Sequence, residues 1–123
     1  MFQGLRTVIY HAADLNAAKE WYAKALGVQP YFDQPFYVGF NIAGYEFGLD
    51  PDPNSATGTG TSSVAYWGVV DAEAALARLV ALGATGRLGV QDVGDGIRLA
   101  SVIDPFGNVF GIIENPHFSL ESS

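Results

Sequence analysis

Residues 44–49, Gly44-Tyr45-Glu46-Phe47-Gly48-Leu49, return in altered form as Gly107-Asn108-Val109-Phe110-Gly111-Ile112. Each stretch starts on a turn glycine and runs into alternating apolar residues, the pattern of a strand with one buried face. The correspondence extends backwards along the chain. Asp14 is followed by Ala17-Ala18, and Asp71 by Ala74-Ala75, at the same offsets. A match in both order and residues predicts two copies of one supersecondary unit.

Working outward from these strands gives each copy the same order. In the first, Thr7-Val8-Ile9-Tyr10 reads as a strand, being β-branched and aromatic. Asp14 or Asn16 then opens a helix through Leu15, Ala18, Trp21, Tyr22, Ala25 and Leu26, which Gly27 closes. A short strand at Tyr31-Phe32, a turn at Asp33-Gln34-Pro35, and strands 36–42 and 45–49 complete the unit. In the second copy, 64–70 is a strand, and Asp71 opens a helix through Ala75, Leu76, Leu79 and Leu82 to Gly83. A weak strand at 88–93, a turn at 94–96, and strands 97–103 and 109–114 about an Asp104–Asn108 turn follow. We therefore read the chain as a single domain, 1–123, of α+β class. It consists of a βαβββ module at 4–50, a polar linker at 51–63, a second βαβββ module at 64–115 and a tail at 116–123. One such unit cannot cover both faces of its sheet, so the pair is expected to form a cupped mixed β-sheet with helices outside.

Composition narrows the function classes. The 123 residues are 49% apolar and 15% charged, which excludes disorder. No cysteine is present, so disulfides, thiolate metal sites and cysteine nucleophiles are excluded. Thirteen acidic residues against six basic ones give a net charge of −7, which argues against nucleic acid or an anionic membrane as partner. No stretch has the pattern of a signal peptide or the ~20 apolar residues of a membrane span, so a cytoplasmic protein is expected. Gly58-Thr59-Gly60 has no following lysine or helix and is not a phosphate loop.

The ordered set of Asp14-Leu15, Trp21-Tyr22, Leu26-Gly27, Asp71 to Gly83 and Asp104-Pro105-Phe106-Gly107-Asn108 resembles the vicinal oxygen chelate superfamily, the glyoxalase/bleomycin-resistance/extradiol-dioxygenase proteins. The resemblance covers residues 4–115. It implies paired βαβββ modules, a ligand cleft in the sheet cup, a homodimer, and in the enzymes a divalent metal held by one first-strand and one last-strand residue from each module. Carried onto this chain, those positions are Thr7, Gly48, Val64 and Gly111. Three of them lack a side-chain donor and the fourth is a neutral hydroxyl, so no metal and no other cofactor is expected.

Strand alternation then sets the candidates that face the cleft. Thr7, Ile9, Val64, Tyr66, Gly48 and Gly111 are read as ligand-binding, with Phe40 from the aromatic-rich 31–40 segment. His11 and Glu46 are the candidate catalytic pair, an imidazole base beside a carboxylate. For both, the reading as rim or strand-end residues bonded to backbone or solvent outweighs the catalytic one. Trp67 reads as core, Glu114 as solvent-facing, and His117 as a tail residue. The expectation is a metal-free protein binding a small apolar or aromatic molecule, which the acidic charge would allow to be cationic. The alternative is a glyoxalase-like lyase, isomerase or dioxygenase, with atypical metal donors or cofactor-free acid–base chemistry. A purely structural module is disfavoured on the premise that the paired glycines open space.

Overall fold

A computed structural model describes residues 5–52 and 64–117. The linker reading beyond residue 52, the 58–60 glycines and the end of the tail lie outside them. The chain divides into two compact units, Met1–Gly60 and Thr61–Ser123. Among the described residues each is α+β and carries one helix and one four-stranded sheet.

The first unit runs β1 (Thr7–His11), α1 (Leu15–Leu26), β2 (Phe32–Gln34), β3 (Tyr37–Ile42) and β4 (Tyr45–Asp50). Its strand order is β1-β4-β3-β2, with β1 parallel to β4 and the other pairs antiparallel. Asp14, rather than Asn16, starts α1: its Oδ1 accepts from the Ala17 N–H at 3.0 Å. Gly27 ends the helix at φ 73°, where a side chain would be strained. Leu15, Ala18 and Tyr22 of α1 pack on Tyr10, Val38, Phe40, Phe47 and Leu49, so one face of the sheet is closed by the helix. Asp33 lies on this side too, where it pairs with Lys19 of α1 at 3.0 Å.

The second unit runs β5 (Tyr66–Gly68), α2 (Ala72–Ala81), β6 (Thr85–Gly94), β7 (Ile97–Ile103) and β8 (Val109–Glu114). Its order, β5-β8-β7-β6 with β5 parallel to β8, repeats the first. Asp71 caps α2 by accepting from the Glu73 and Ala74 N–H groups. Trp67 lies on the helix side as expected, half-buried rather than fully in the core, and stacks on Phe110 with centroids 5.1 Å apart. The Asp104 turn is structural as expected. Its buried carboxylate accepts from the N–H groups of Phe106 and Asn108 and from the Asn108 side-chain amide.

Three readings need correction. The turn expected at 33–35 falls later, because residues 32–34 pair with Gly39, Val38 and Tyr37 as β2. Strand β5 covers only 66–68 of the expected 64–70. The weak 88–93 strand is ten residues long, and its register against β7 slips at three places. Those irregularities break the two-residue period that makes a strand visible in sequence.

Candidate functional site

Each sheet keeps a second face turned away from its helix, and alternation decides who stands there. In the first unit, Tyr10, Phe47 and Leu49 are buried on the helix side, so Thr7, Ile9, His11, Glu46, Gly48 and Asp50 occupy the open face. In the second, Phe110, Ile112, Ala100 and Val102 are buried, leaving Tyr66, Gly111, Leu99, Ser101 and Ile113 on the open face. Val64 precedes β5 and is half-buried. Phe40 is not on the open face. It is 0% exposed on the helix side, 6.1 Å from the Phe47 ring, and belongs to the core, because it alternates with Gly39.

The glycines at the chelator positions do not open space. A Cβ on Gly48 would fall on the Tyr37 hydroxyl, with Tyr37 Cζ and Cε1 at 2.5 and 2.7 Å. A Cβ on Gly111 would stand 2.7 Å from Tyr66 Cδ1 and 2.8 Å from the Ala65 carbonyl oxygen. A tyrosine ring lies over each glycine: Tyr37 leans across from β3, and Tyr66 from β5. A Cβ on Gly39, beside Gly48 in register, would stand 3.2 and 3.3 Å from the Tyr31 and Tyr37 rings.

His11 and Glu46 are not brought together. Glu46 is opposite Thr7 and His11 is opposite Asp50, so the two lie four residues apart along paired strands, roughly 13 Å at a strand rise of ~3.3 Å. Glu46 is instead clamped by two phenols. Tyr31 donates to its Oε1 and Tyr37 to its Oε2, the latter at 2.6 Å. His11 is half-buried with its Nε2 shut from solvent.

Burial pushes the Tyr37 phenol above its ordinary 10.0, and the negative charge of Asp50 adds to the rise. The shift exists only in the folded chain. The group's contribution is therefore complete below the unfolded value of 10.0, and stability falls as pH climbs through the higher folded value. Ultraviolet titration should show a late-ionising tyrosine that is missing in Tyr37→Phe. An unchanged alkaline limb in that variant would refute the assignment.

The tyrosine clamp escaped sequence reading, although the crowding of Tyr31, Phe32, Phe36 and Tyr37 was visible. Its signal was the neighbouring pair Gly39 and Gly48, a floor flat enough for rings. Glu114 was misread as solvent-facing: its Oε1 accepts from the Ala72 N–H at the start of α2, at 2.9 Å. His117 is tied to the 94–96 turn, its Nε2 lying 2.7 Å from the Asp95 carbonyl oxygen.

A divalent ion of the family type does not fit these residues. Its four expected positions offer one hydroxyl and no imidazole or carboxylate, and rings cover the two glycines. Among the described residues, no group of three or more His, Asp or Glu side chains is placed to hold a metal. Nor is any described helix long and apolar enough to cross a membrane.

Comparison with known proteins agrees with this architecture. A glyoxalase-related enzyme from Fulvimarina pelagi superposes with a TM-score of 0.80 at 20% identity, over 98% of this chain and 94% of that one. A fosfomycin resistance protein from Listeria monocytogenes gives 0.77 at 16% identity, over 95% and 97%. A lactoylglutathione lyase from Agrobacterium tumefaciens gives 0.71 at 19% identity, over 98% and 100%. At these identities the likeness is one of fold. No curated protein sequence matches the chain. The family model for the Glyoxalase/Bleomycin resistance protein/Dioxygenase superfamily matches residues 4–112, and the chain belongs to that superfamily.

Proposed function

We propose that this superfamily member works without a resident metal and binds a small apolar or aromatic molecule on an open sheet face. The observation that carries the reading is the pair of tyrosine rings, Tyr37 and Tyr66, lying where family chelators would stand. An ion would need those rings expelled, whereas a flat ligand can lie against them. Support also comes from the first unit's exposed aromatics. Tyr31 is 63% and Phe36 66% exposed, and Phe32 lies 6.0 Å from Phe36 by ring centroids. Glu46 and Asp50, on the same sheet face as Phe32, favour a neutral or cationic ligand there. The proposal extends to a cytoplasmic homodimer, which sedimentation would test.

The competing reading is an enzyme of the family's lyase, isomerase or dioxygenase type. Acid–base catalysis by a His11–Glu46 pair is disfavoured by the register that separates them. Titration calorimetry with indole and tryptamine tests the binding reading. Both should bind, and Tyr31→Ser and Phe36→Ser should each weaken them about tenfold, the loss of one aromatic contact of about 1.5 kcal/mol. Equal affinity in both variants, or no binding, would contradict it.

A further inference from the structure

We infer that the open face of the second unit carries an oxyanion-binding subsite centred on Arg87, for a carboxylate or phosphonate attached to an apolar body. This goes beyond the aromatic face of the first unit and does not depend on it.

Strand β6 slips in register against β7 beside Arg87. Gly86 pairs with Val102 and Leu88 with Ser101, so Arg87 and Leu88 together face one residue of β7. Gly86 faces the helix side with Val102, so alternation sends Arg87 to the open face, and the bulge sets Leu88 beside it there. Arg87 Nη1 donates to Ser101 Oγ at 3.1 Å. Ser101 is 0% exposed, so a buried hydroxyl fixes the guanidinium from below.

Charge makes the placement informative. Among the described residues of this unit, no carboxylate shares that face with Arg87. Asp71 and Glu73 belong to α2, and Asp92 and Glu114 lie on the helix side, paired in register with Arg98. Asp95 is at the hairpin tip, and Asp104 is spent on its turn. In a protein of net charge −7, a cation thus stands on a sheet face that it shares with Leu88, Leu99, Tyr66 and Ile113. Guanidinium has five N–H donors, and one of Arg87's is spent on Ser101. The remaining fork matches the two oxygens of a carboxylate or phosphonate.

The body of the ligand has a place beside it. Tyr66, Gly111, Ser101 and Leu88 form one row across the four strands. The Tyr66 ring covers Gly111, one strand spacing of ~4.8 Å from Ser101. Tyr66 also borders a recess of about 440 Å³ that Gly68 and Ile113 help to line. An anion on Arg87 would therefore lay its apolar part towards Tyr66.

Nitrogen-detected NMR titration with phenylacetate, phenylphosphonate and neutral phenylacetamide tests this. Either anion, or both, should shift the Arg87 Nε resonance and the Ser101 and Gly111 amides saturably, and the stronger of the two identifies the headgroup. Phenylacetamide should bind at least about tenfold more weakly, the worth of one charged hydrogen bond. Arg87→Gln should remove the anion preference, whereas Arg98→Gln, whose arginine is engaged by Glu73, should keep it. Equal shifts with the amide, an anion preference that survives Arg87→Gln, or no saturable shift would each overturn the proposal.

Discussion

Phe47→Ala is expected to lower the unfolding free energy by about 3–5 kcal/mol, the cost of emptying an aromatic site in a packed core. Phe47 is 1% exposed and sits where the rings of the first unit meet. Tyr22 is 4.8 Å away by centroid, Tyr10 5.1 Å and edge-on, and Phe40 6.1 Å. Removing it withdraws one partner from three aromatic contacts, and large rings cannot collapse into the void as an aliphatic core would. Urea denaturation should show the lowered midpoint. Phe36→Ala, at a position 66% exposed, should stay within about 0.5 kcal/mol and serves as the surface control. Comparable losses in the two variants would mean that Phe47 is not the centre of this core.

Gly111→Ala should be the costlier of the two chelator-position methyl additions, by about 1–3 kcal/mol in total. The added Cβ meets the Ala65 carbonyl at 2.8 Å as well as the Tyr66 ring, and that carbonyl accepts the Gly111 N–H at 3.0 Å. Backbone held by such a bond cannot yield without loosening the β5–β8 pairing. At Gly48 the obstacle is only the Tyr37 side chain, which can swing away at the cost of its bond to Glu46. Gly48→Ala should accordingly be milder, and nearly silent when Tyr37→Ala is already present, a non-additivity that a double-mutant cycle measures. Additive effects at Gly48 would mean the ring does not lie on it.

Much of the fold was legible because the two modules repeat local signals that need no tertiary context. The helix caps Asp14, Gly27 and Asp71 and the last strand, 109–114, stand where the residues predict. Strand β6 was poorly legible because bulges interrupt its period, and Arg87 was missed because it precedes the 88–93 stretch that reads as a strand. The open faces were legible through Thr7, Ile9, Tyr66, Gly48 and Gly111. What those glycines do was not. Sequence shows that glycine lacks a side chain, but only packing shows that a neighbour's ring has taken its place. Phe40 was drawn into the site by composition, although its neighbour Gly39 carries the alternation that sends it to the core. The separation of His11 from Glu46 depends on the β1–β4 register, which a parallel pairing fixes only in three dimensions.

The decisive measurement is metal binding by the chain purified without chelator, by elemental analysis and by thermal unfolding with added Zn²⁺, Ni²⁺, Mn²⁺ or Fe²⁺. A resident site would add about 2.7 kcal/mol of stability at a hundredfold excess over its dissociation constant. With Tyr37 and Tyr66 on the glycines, we predict only background metal and an unfolding temperature that no ion raises. One equivalent of metal per chain, removable by chelator with loss of stability, would contradict the account.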